Sequence, residues 1–285
     1  MRLIKLFTLS LLLSLSITQL LIASDIKMPL YEGGIYLKEI NKREYDSDLY
    51  IDNQKILTWR YMDKFYAVYG IPYNSKIGNN RLTIKNEMNK VIKNISMNIK
   101  QKNFLTQKII INKKYTQPDK SILKRIKNDA KQLRQARSIW IDEDPDLYFI
   151  SPVEGTVSGV FGTRRFYNGI EGNFHNGYDI AASIGTPVIA PSSGKIVLTG
   201  HFFYNGKTIV LDHGKGVKSL LIHLDTILVN KDQIIRKGDI IGRVGTTGKS
   251  TGPHLHWSVL MNNTYIDPEL LINRETIKNL VLEAL

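Results

Sequence analysis

The chemistry-bearing residues of this chain are six histidines, which all lie between positions 175 and 256. His175 and Asp179 stand four positions apart, and His254-Leu255-His256 places two imidazoles at alternate positions. In an extended strand alternate side chains share a face, so these two imidazoles project together while Leu255 points to the core. Zinc accepts neutral imidazole and carboxylate ligands, and a catalytic zinc keeps one position for water. The two segments together predict a divalent metal site.

Cysteine is absent from the sequence. Its absence excludes disulfides, cysteine-bound zinc and iron–sulfur clusters, so a catalytic metal must bind to His, Asp or Glu. Neither a GxGxxG nor a GxxxxGK[ST] motif occurs, which removes support for a nucleotide-binding α/β fold. The hydrophobic fraction of 42% is enough for a sizeable core.

The motifs around these histidines resemble the signature of the LytM/lysostaphin-type zinc metallopeptidases. The resemblance rests on short segments in the family's order, at 161–164, 175–181, 186–187, 212–214, 222–224, 237–239, 245–248, 250–257 and 267–268. It implies a mainly β fold, with an antiparallel LytM-type peptidase domain. It also implies one Zn²⁺ ion and hydrolysis of peptide bonds in bacterial peptidoglycan.

The resemblance also assigns roles to individual residues. His175, Asp179 and His256 match the family's three zinc ligands. His223 and His254 match its two catalytic histidines, one to move the proton and one to stabilise the oxyanion, and the sequence leaves open which is the base.

Other positions near the motifs receive weaker interpretations. Arg164 matches a recurrent family arginine, to which no role is assigned. Trp257 stands where phenylalanine is commoner, which concerns packing alone. His201 and His213 are interpreted as structural residues, with His201 a groove residue at most.

Five segments are expected along the chain. They are a signal peptide at 1–24, a β-rich domain at 25–116, a helical linker at 117–148, the peptidase domain at 149–273 and a C-terminal helix or tail at 274–285. The first has two basic residues before a long apolar run and small residues at its end, which is typical of a secretory signal. We therefore expect an exported protein that works in the periplasm or outside the cell, associated with the cell wall.

Apolar spacing predicts the elements that must position the site. Alternation at Ile95, Met97 and Ile99 and the apolar run 65–69 favour strands in the first domain. Apolar residues at 122, 126, 130, 133, 136 and 140 predict one face of a helix that starts at Pro118 and Asp119. Short apolar runs with glycine turns predict antiparallel strands in the second domain, at 188–190, 195–198, 208–211, 240–244 and 255–260.

Positive charge is concentrated in the middle of the chain. The formal net charge is +13, and residues 76–140 hold 17 Lys and Arg against three acids, Glu87, Asp119 and Asp129. Such a run is often a solvated face, but it also suits an anionic wall or membrane surface. Nucleic acid is not expected as a partner of an exported chain, and the oligomeric state is left open.

Three functional hypotheses follow from the sequence. The first is a zinc endopeptidase acting on peptidoglycan cross-links, for which a D-alanine–diaminopimelate bond is favoured over a glycine-rich bridge. The second is a non-catalytic wall-binding regulator of other murein hydrolases, which would not need every metal ligand. The third is a lipoyl- or biotinyl-type carrier domain, since 194–197 and 237–239 are similar to such hairpins, although a carrier needs neither paired histidines nor export.

Overall fold

The computed structural model describes residues 30–284, with side chains described to residue 281. The expected signal peptide at 1–24 lies outside the described residues. Strands make up 44% of the described residues and helices 15%, so the fold is mainly β with antiparallel sheets, as predicted. Among the described residues, no helix is long and apolar enough to cross a membrane.

The N-terminal unit consists of two antiparallel sheets. One has the strand order β1-β5-β4 and the other β3-β2-β6-β7. Ile95, Met97 and Ile99 of β7 are buried between the sheets, which confirms the predicted alternation. Its elements are β1 Ile35–Ile40, α1 Lys42–Tyr45, β2 Leu49–Ile51, β3 Gln54–Lys55, β4 Leu57–Tyr61, β5 Lys64–Gly70, β6 Gly78–Asn86 and β7 Val91–Ile99.

A connecting region joins the two units. It contains β8 Thr106–Ile109, a 3-10 turn at Lys113–Tyr115 and the helix α2 Lys120–Ser138. The helix starts where it was predicted and turns its apolar side toward the C-terminal sheet, with Ala136 buried. The helical prediction was wrong at Trp140, which lies two residues beyond the helix and packs on Gly216 instead. The cause is the backbone of Ile139, which is extended and ends the helix.

The C-terminal unit is built on one large sheet with the strand order β17-β14-β15-β16-β19-β12-β9, to which β13, β18 and β20 add at the sides. A small separate sheet has the order β11-β10-β8. The elements are β9 Thr156–Gly159, β10 Arg164–Tyr167, β11 Ile170–Glu171, β12 Tyr178–Ala181, β13 Pro187–Ile189, β14 Gly194–Phe202, β15 Gly206–Gly214, β16 Val217–Ile227, β17 Ile234–Ile235, β18 Ile240–Val244, β19 His254–Met261, β20 Thr264–Ile266, α3 Glu269–Ile272 and α4 Arg274–Ala284.

The two units share one hydrophobic core. Successive residues of a strand face opposite sides, so Ala67 of β5 joins the core of the N-terminal unit while Tyr66 and Val68 face the C-terminal unit. There they belong to the same buried cluster as Phe149 and Trp257. The N-terminal sheet therefore packs on the C-terminal unit as a structural layer.

Candidate active site

Two neighbouring antiparallel strands place the metal-ligand candidates opposite each other. Asp179 of β12 is the direct cross-strand partner of His256 of β19. His175 comes from the segment before β12, and its backbone N–H donates to the Thr163 carbonyl at 2.8 Å. Leu255 is fully buried, so the alternation of β19 turns both flanking histidines away from the core.

Three side-chain atoms converge at this point. The distance from His175 Nε2 to Asp179 Oδ1 is 3.0 Å, from His175 Nε2 to His256 Nδ1 is 3.0 Å, and from His256 Nδ1 to Asp179 Oδ1 is 2.8 Å. All three residues are buried. The structure thus brings together the three residues that the sequence analysis expects as metal ligands.

The far sides of both rings show where their protons are. His175 Nδ1 faces the Val160 carbonyl at 2.7 Å, and a carbonyl can only accept, so Nδ1 carries the hydrogen. His256 Nε2 lies 2.7 Å from Ser258 Oγ and 3.2 Å from Asn176 Oδ1, which makes it the donor. In the neutral rings the nitrogens that face the cluster therefore carry no hydrogen, and each offers a lone pair. Burial lowers the pKa of His256 to about 4, which keeps its ring neutral.

The carboxylate is ionised and held on its second oxygen. The positive charge of the neighbouring Arg165 favours the ionised form of Asp179. Arg165 donates from its guanidinium to Asp179 Oδ2 at 2.5 Å, which leaves Oδ1 to face the imidazoles. Three acceptor atoms about 3 Å apart repel one another unless a cation lies between them.

The sequence analysis missed Arg165 and singled out its neighbour. Arg164 is exposed and pairs with Glu171 on the outer side of β10. Arg165 points the other way, into the site, because adjacent residues of a strand face opposite sides. Strand alternation from Arg164 was the signal that could have found it.

A β-bulge aims His223 at the cluster. The pairing of β15 with β16 shifts between Lys207 and Ile209, so the segment 222–223 holds one extra residue on β16. His223 takes up the irregularity with a φ of 65°, in the left-handed region that side chains rarely adopt. Its Nδ1–H donates to the Thr247 carbonyl at 2.8 Å, which leaves Nε2 without a proton. Burial, together with His254 and His256, lowers its pKa to about 3.

His254 stands beside His223, with the two ring centroids 4.8 Å apart. Its Nδ1–H donates to the Gly252 carbonyl at 2.9 Å, and its Nε2 lies 3.7 Å from Asp179 Oδ1. The two remaining histidines lie elsewhere. His213 is buried in the core beneath β19, and His201 is exposed on β14.

Two cavities meet at this cluster. One is lined by residues 107–111, His254 and the loop 249–253, and the other by α2, His175 and His256. Lys249 and Tyr167 line both, and the Lys249 ammonium lies 3.1 Å from the centre of the Tyr167 ring. This contact joins β10 to the loop before β19 at the border of both cavities, which we call the two compartments of the groove.

The segment 106–116, which we call the strap, runs across the groove. Its strand β8 pairs in parallel with β10 on one wall, and Asn168 beyond β10 bonds both backbone groups of Ile111 at 2.9 Å. At its other end the Tyr115 hydroxyl donates to the Gly248 carbonyl of the opposite wall at 2.5 Å. The strap therefore links both walls, so the connecting region contributes to the groove itself.

Comparison with known proteins gives the class. Residues 173–268 match Peptidase family M23, and these residues contain all five site residues. A crystal structure of a Pseudomonas aeruginosa protein of the peptidase M23 group superimposes with a TM-score of 0.67 at 29% identity, over 86% of this chain and 95% of that one. The chain belongs to the LytM-type peptidases of family M23 through this C-terminal domain.

Curated relatives match over the same domain. The peptidoglycan DD-endopeptidase ShyB of Vibrio cholerae is 42% identical over 93 residues, which is 33% of this chain and 22% of ShyB. The DD-carboxypeptidase/endopeptidase Mpg of Neisseria meningitidis is 37% identical over 112 residues, which is 39% of this chain and 26% of Mpg. The matches thus span about a quarter of these relatives.

Proposed function

We propose that this protein is a zinc-dependent endopeptidase that hydrolyses peptide bonds in peptidoglycan cross-links during cell-wall remodelling. The observation that carries the proposal is the convergence of His175 Nε2, Asp179 Oδ1 and His256 Nδ1, with His223 and His254 alongside. Relatives named as peptidoglycan DD-endopeptidases support the substrate class.

The donor set fits one zinc ion. A tetrahedral zinc with bonds of about 2.0–2.1 Å separates its ligand atoms by about 3.3 Å, close to the spacing of 2.8–3.0 Å found here. Asn176 and Ser258 behind His256, and Val160 behind His175, supply the outer hydrogen bonds that zinc-binding histidines need. Zinc bound there supplies Lewis-acid chemistry, acidifying water and polarising a carbonyl.

The remaining chemistry belongs to His223 and His254. Hydrolysis takes a proton from the attacking water and delivers one to the leaving nitrogen. Nε2 of His223 is unprotonated and buried beside the ligands, so it can accept a proton, and Nε2 of His254 faces the same space. Once protonated, either ring can donate a hydrogen bond to the oxyanion of the tetrahedral intermediate.

Metal analysis combined with one variant tests the proposal. We expect one zinc per chain, release of muropeptide fragments from purified peptidoglycan, and loss of both in His256→Ala. His201→Ala is the matched control, because this histidine is exposed on β14 away from the groove. Full hydrolysis by His256→Ala would rule out the enzyme assignment, and a wild-type chain that binds peptidoglycan without cleaving it would favour the regulator hypothesis.

We further propose that the protein is exported and that α2 holds it on an anionic wall or membrane surface. The exposed residues of this helix include many cations, namely Lys120, Lys124, Arg125, Lys127, Lys131 and Arg134. Cosedimentation with peptidoglycan that carries anionic polymer tests the surface. Binding should weaken with salt and with Gln at Lys124, Lys127 and Lys131. Binding that is unaffected by salt and by the Gln substitutions would contradict the proposed role of α2.

A further inference from the structure

Lys249 is a half-buried cation that lines the groove, and among the described residues it has no anionic partner. Among the described residues, no carboxylate lies within ion-pair distance of its Nζ, and the ammonium lies over the face of Tyr167. It lies in the loop between Gly248 and the histidine strand β19, and its backbone N–H donates to the Tyr204 carbonyl at 2.7 Å. This hydrogen bond fixes the backbone position from which the Lys249 side chain extends.

The surroundings of Lys249 add further positive charge. Burial and the nearby Arg165 lower its pKa to about 8, so it still carries its proton at neutral pH. The charge of Arg165 is balanced by its ion pair with Asp179, which also faces the metal position. A divalent cation there would leave the groove with excess positive charge. An anionic substrate group would be electrostatically complementary to this region.

We infer that Lys249 binds a free carboxylate of the substrate, on the residue that leaves through its amino group. This inference rests on the proposed function. Lys249 lines both compartments of the groove together with His223, so the carboxylate it reaches belongs to a residue beside the scissile bond.

The chemistry of the peptide bond selects the leaving residue. The main-chain carboxyl group of the residue on the acyl side forms the scissile amide and is therefore not free. The leaving residue keeps a free carboxylate when it is C-terminal, when its nitrogen is the side-chain amine of a diamino acid whose carbon also bears a carboxylate, or when its chain continues through a side-chain carboxyl group. Within a glycine bridge that carboxyl group is an amide. Lys249 therefore favours carboxylate-bearing substrates over glycine bridges.

Paired substrates test this inference. They are a cross-linked muropeptide dimer with a free or an amidated carboxylate next to the scissile nitrogen, and a stem peptide ending in two D-alanines as the free acid or the amide. In one of these two pairs, we expect the zinc-loaded wild type to cleave the free acid with a kcat/KM about tenfold or more above that of the amide. Which pair shows the preference identifies the cross-link or the chain terminus as the source.

Lys249→Met should bring the ratio of free acid to amide close to one, and Lys249→Arg should restore it, because arginine keeps the charge. Lys278→Met, a surface lysine of α4, is the matched control and should keep the wild-type ratio. A wild-type ratio near one, or a Lys249→Met variant that retains the wild-type ratio, would overturn the inference.

A binding arm separates this inference from the proposed function. Isothermal titration of the metal-free wild type with the free-acid and amide forms of the leaving peptide should show the same preference, absent in Lys249→Met. If the protein hydrolyses nothing but shows this preference, the proposed function fails and the carboxylate site stands. If it hydrolyses both forms equally and binds them equally, the site fails and the enzyme stands.

Discussion

His213 links acid stability to the core beneath the active site. Its Nδ1–H donates to the Ser193 carbonyl at 2.8 Å, and its Nε2 accepts from the Ser219 hydroxyl at 2.8 Å. Ser219 in turn accepts from the Trp257 indole at 3.1 Å, next to His256 on β19. A protonated ring could not accept from Ser219, so this network requires neutral His213.

The magnitude follows from the shifted pKa. Burial lowers the pKa of His213 from 6.5 to about 4. The unfolded state therefore takes up a proton as the pH falls below 6.5 while the folded state resists it. This contribution to stability is complete above 6.5 and declines as the pH falls toward 4. At pH 5 the loss is about 2 kcal/mol.

His213→Gln tests this value, because glutamine keeps a donor and an acceptor but does not titrate. Urea unfolding of both proteins at pH 7.5 and pH 5 gives the free energy of unfolding. The loss between the two pH values should be smaller in the variant by about 2 kcal/mol. His201→Gln, at an exposed position, is the control and should follow the wild type. Equal losses in wild type and His213→Gln would refute the reasoning.

Three further predictions concern the core, the strap and the metal. Asp212→Ala should lower the free energy of unfolding by about 3–5 kcal/mol, because it removes the carboxylate that lies 2.9 Å from the buried ammonium of Lys218. Adding Lys218→Met should recover part of this loss in the same urea assay. Tyr115→Phe removes one hydrogen bond of the strap, worth about 1 kcal/mol, and should raise kcat/KM on polymeric peptidoglycan by up to about fivefold; a lower value would show that the strap supports the groove. Removal of metal by a chelator should lower the melting temperature and added zinc should restore it, whereas an unchanged melting temperature would contradict a metal bound to the folded state.

Local patterns predicted the strand face of the site but not its surroundings. HxH alternation places His254 and His256 on one face because the period of a strand is two, and the structure has this arrangement with Leu255 buried. The sequence analysis did not mark β16 as a strand, and the bulge at His223 depends on pairing between β15 and β16, which no local pattern records. Lys249 escaped notice for the same reason, since its position over Tyr167 joins the loop before β19 to the distant strand β10.

The N-terminal unit contacts the segment that carries His175. Tyr73 stacks on Phe174 with ring centroids 3.8 Å apart, and its hydroxyl donates to the Gly162 carbonyl at 3.2 Å. Phe174 precedes His175, and the Gly162 N–H donates to the His175 carbonyl at 2.7 Å. The segment carrying His175 is therefore held from outside the peptidase domain.

Close approach at Gly33 reinforces the same contact. A β-carbon there would lie 2.1 Å from the Phe161 ring, and its φ of 79° is one that favours glycine. Gly33 also accepts from the Asp267 N–H at 2.8 Å, so the N-terminal unit bonds to the peptidase unit through main chain as well as side chains. Because a metal site must keep its ligands within fractions of an ångström, support of the His175 segment is a requirement of the chemistry. The N-terminal unit acts, by this argument, as part of the scaffold of the active site, and the strap that leaves it is positioned by the same packing.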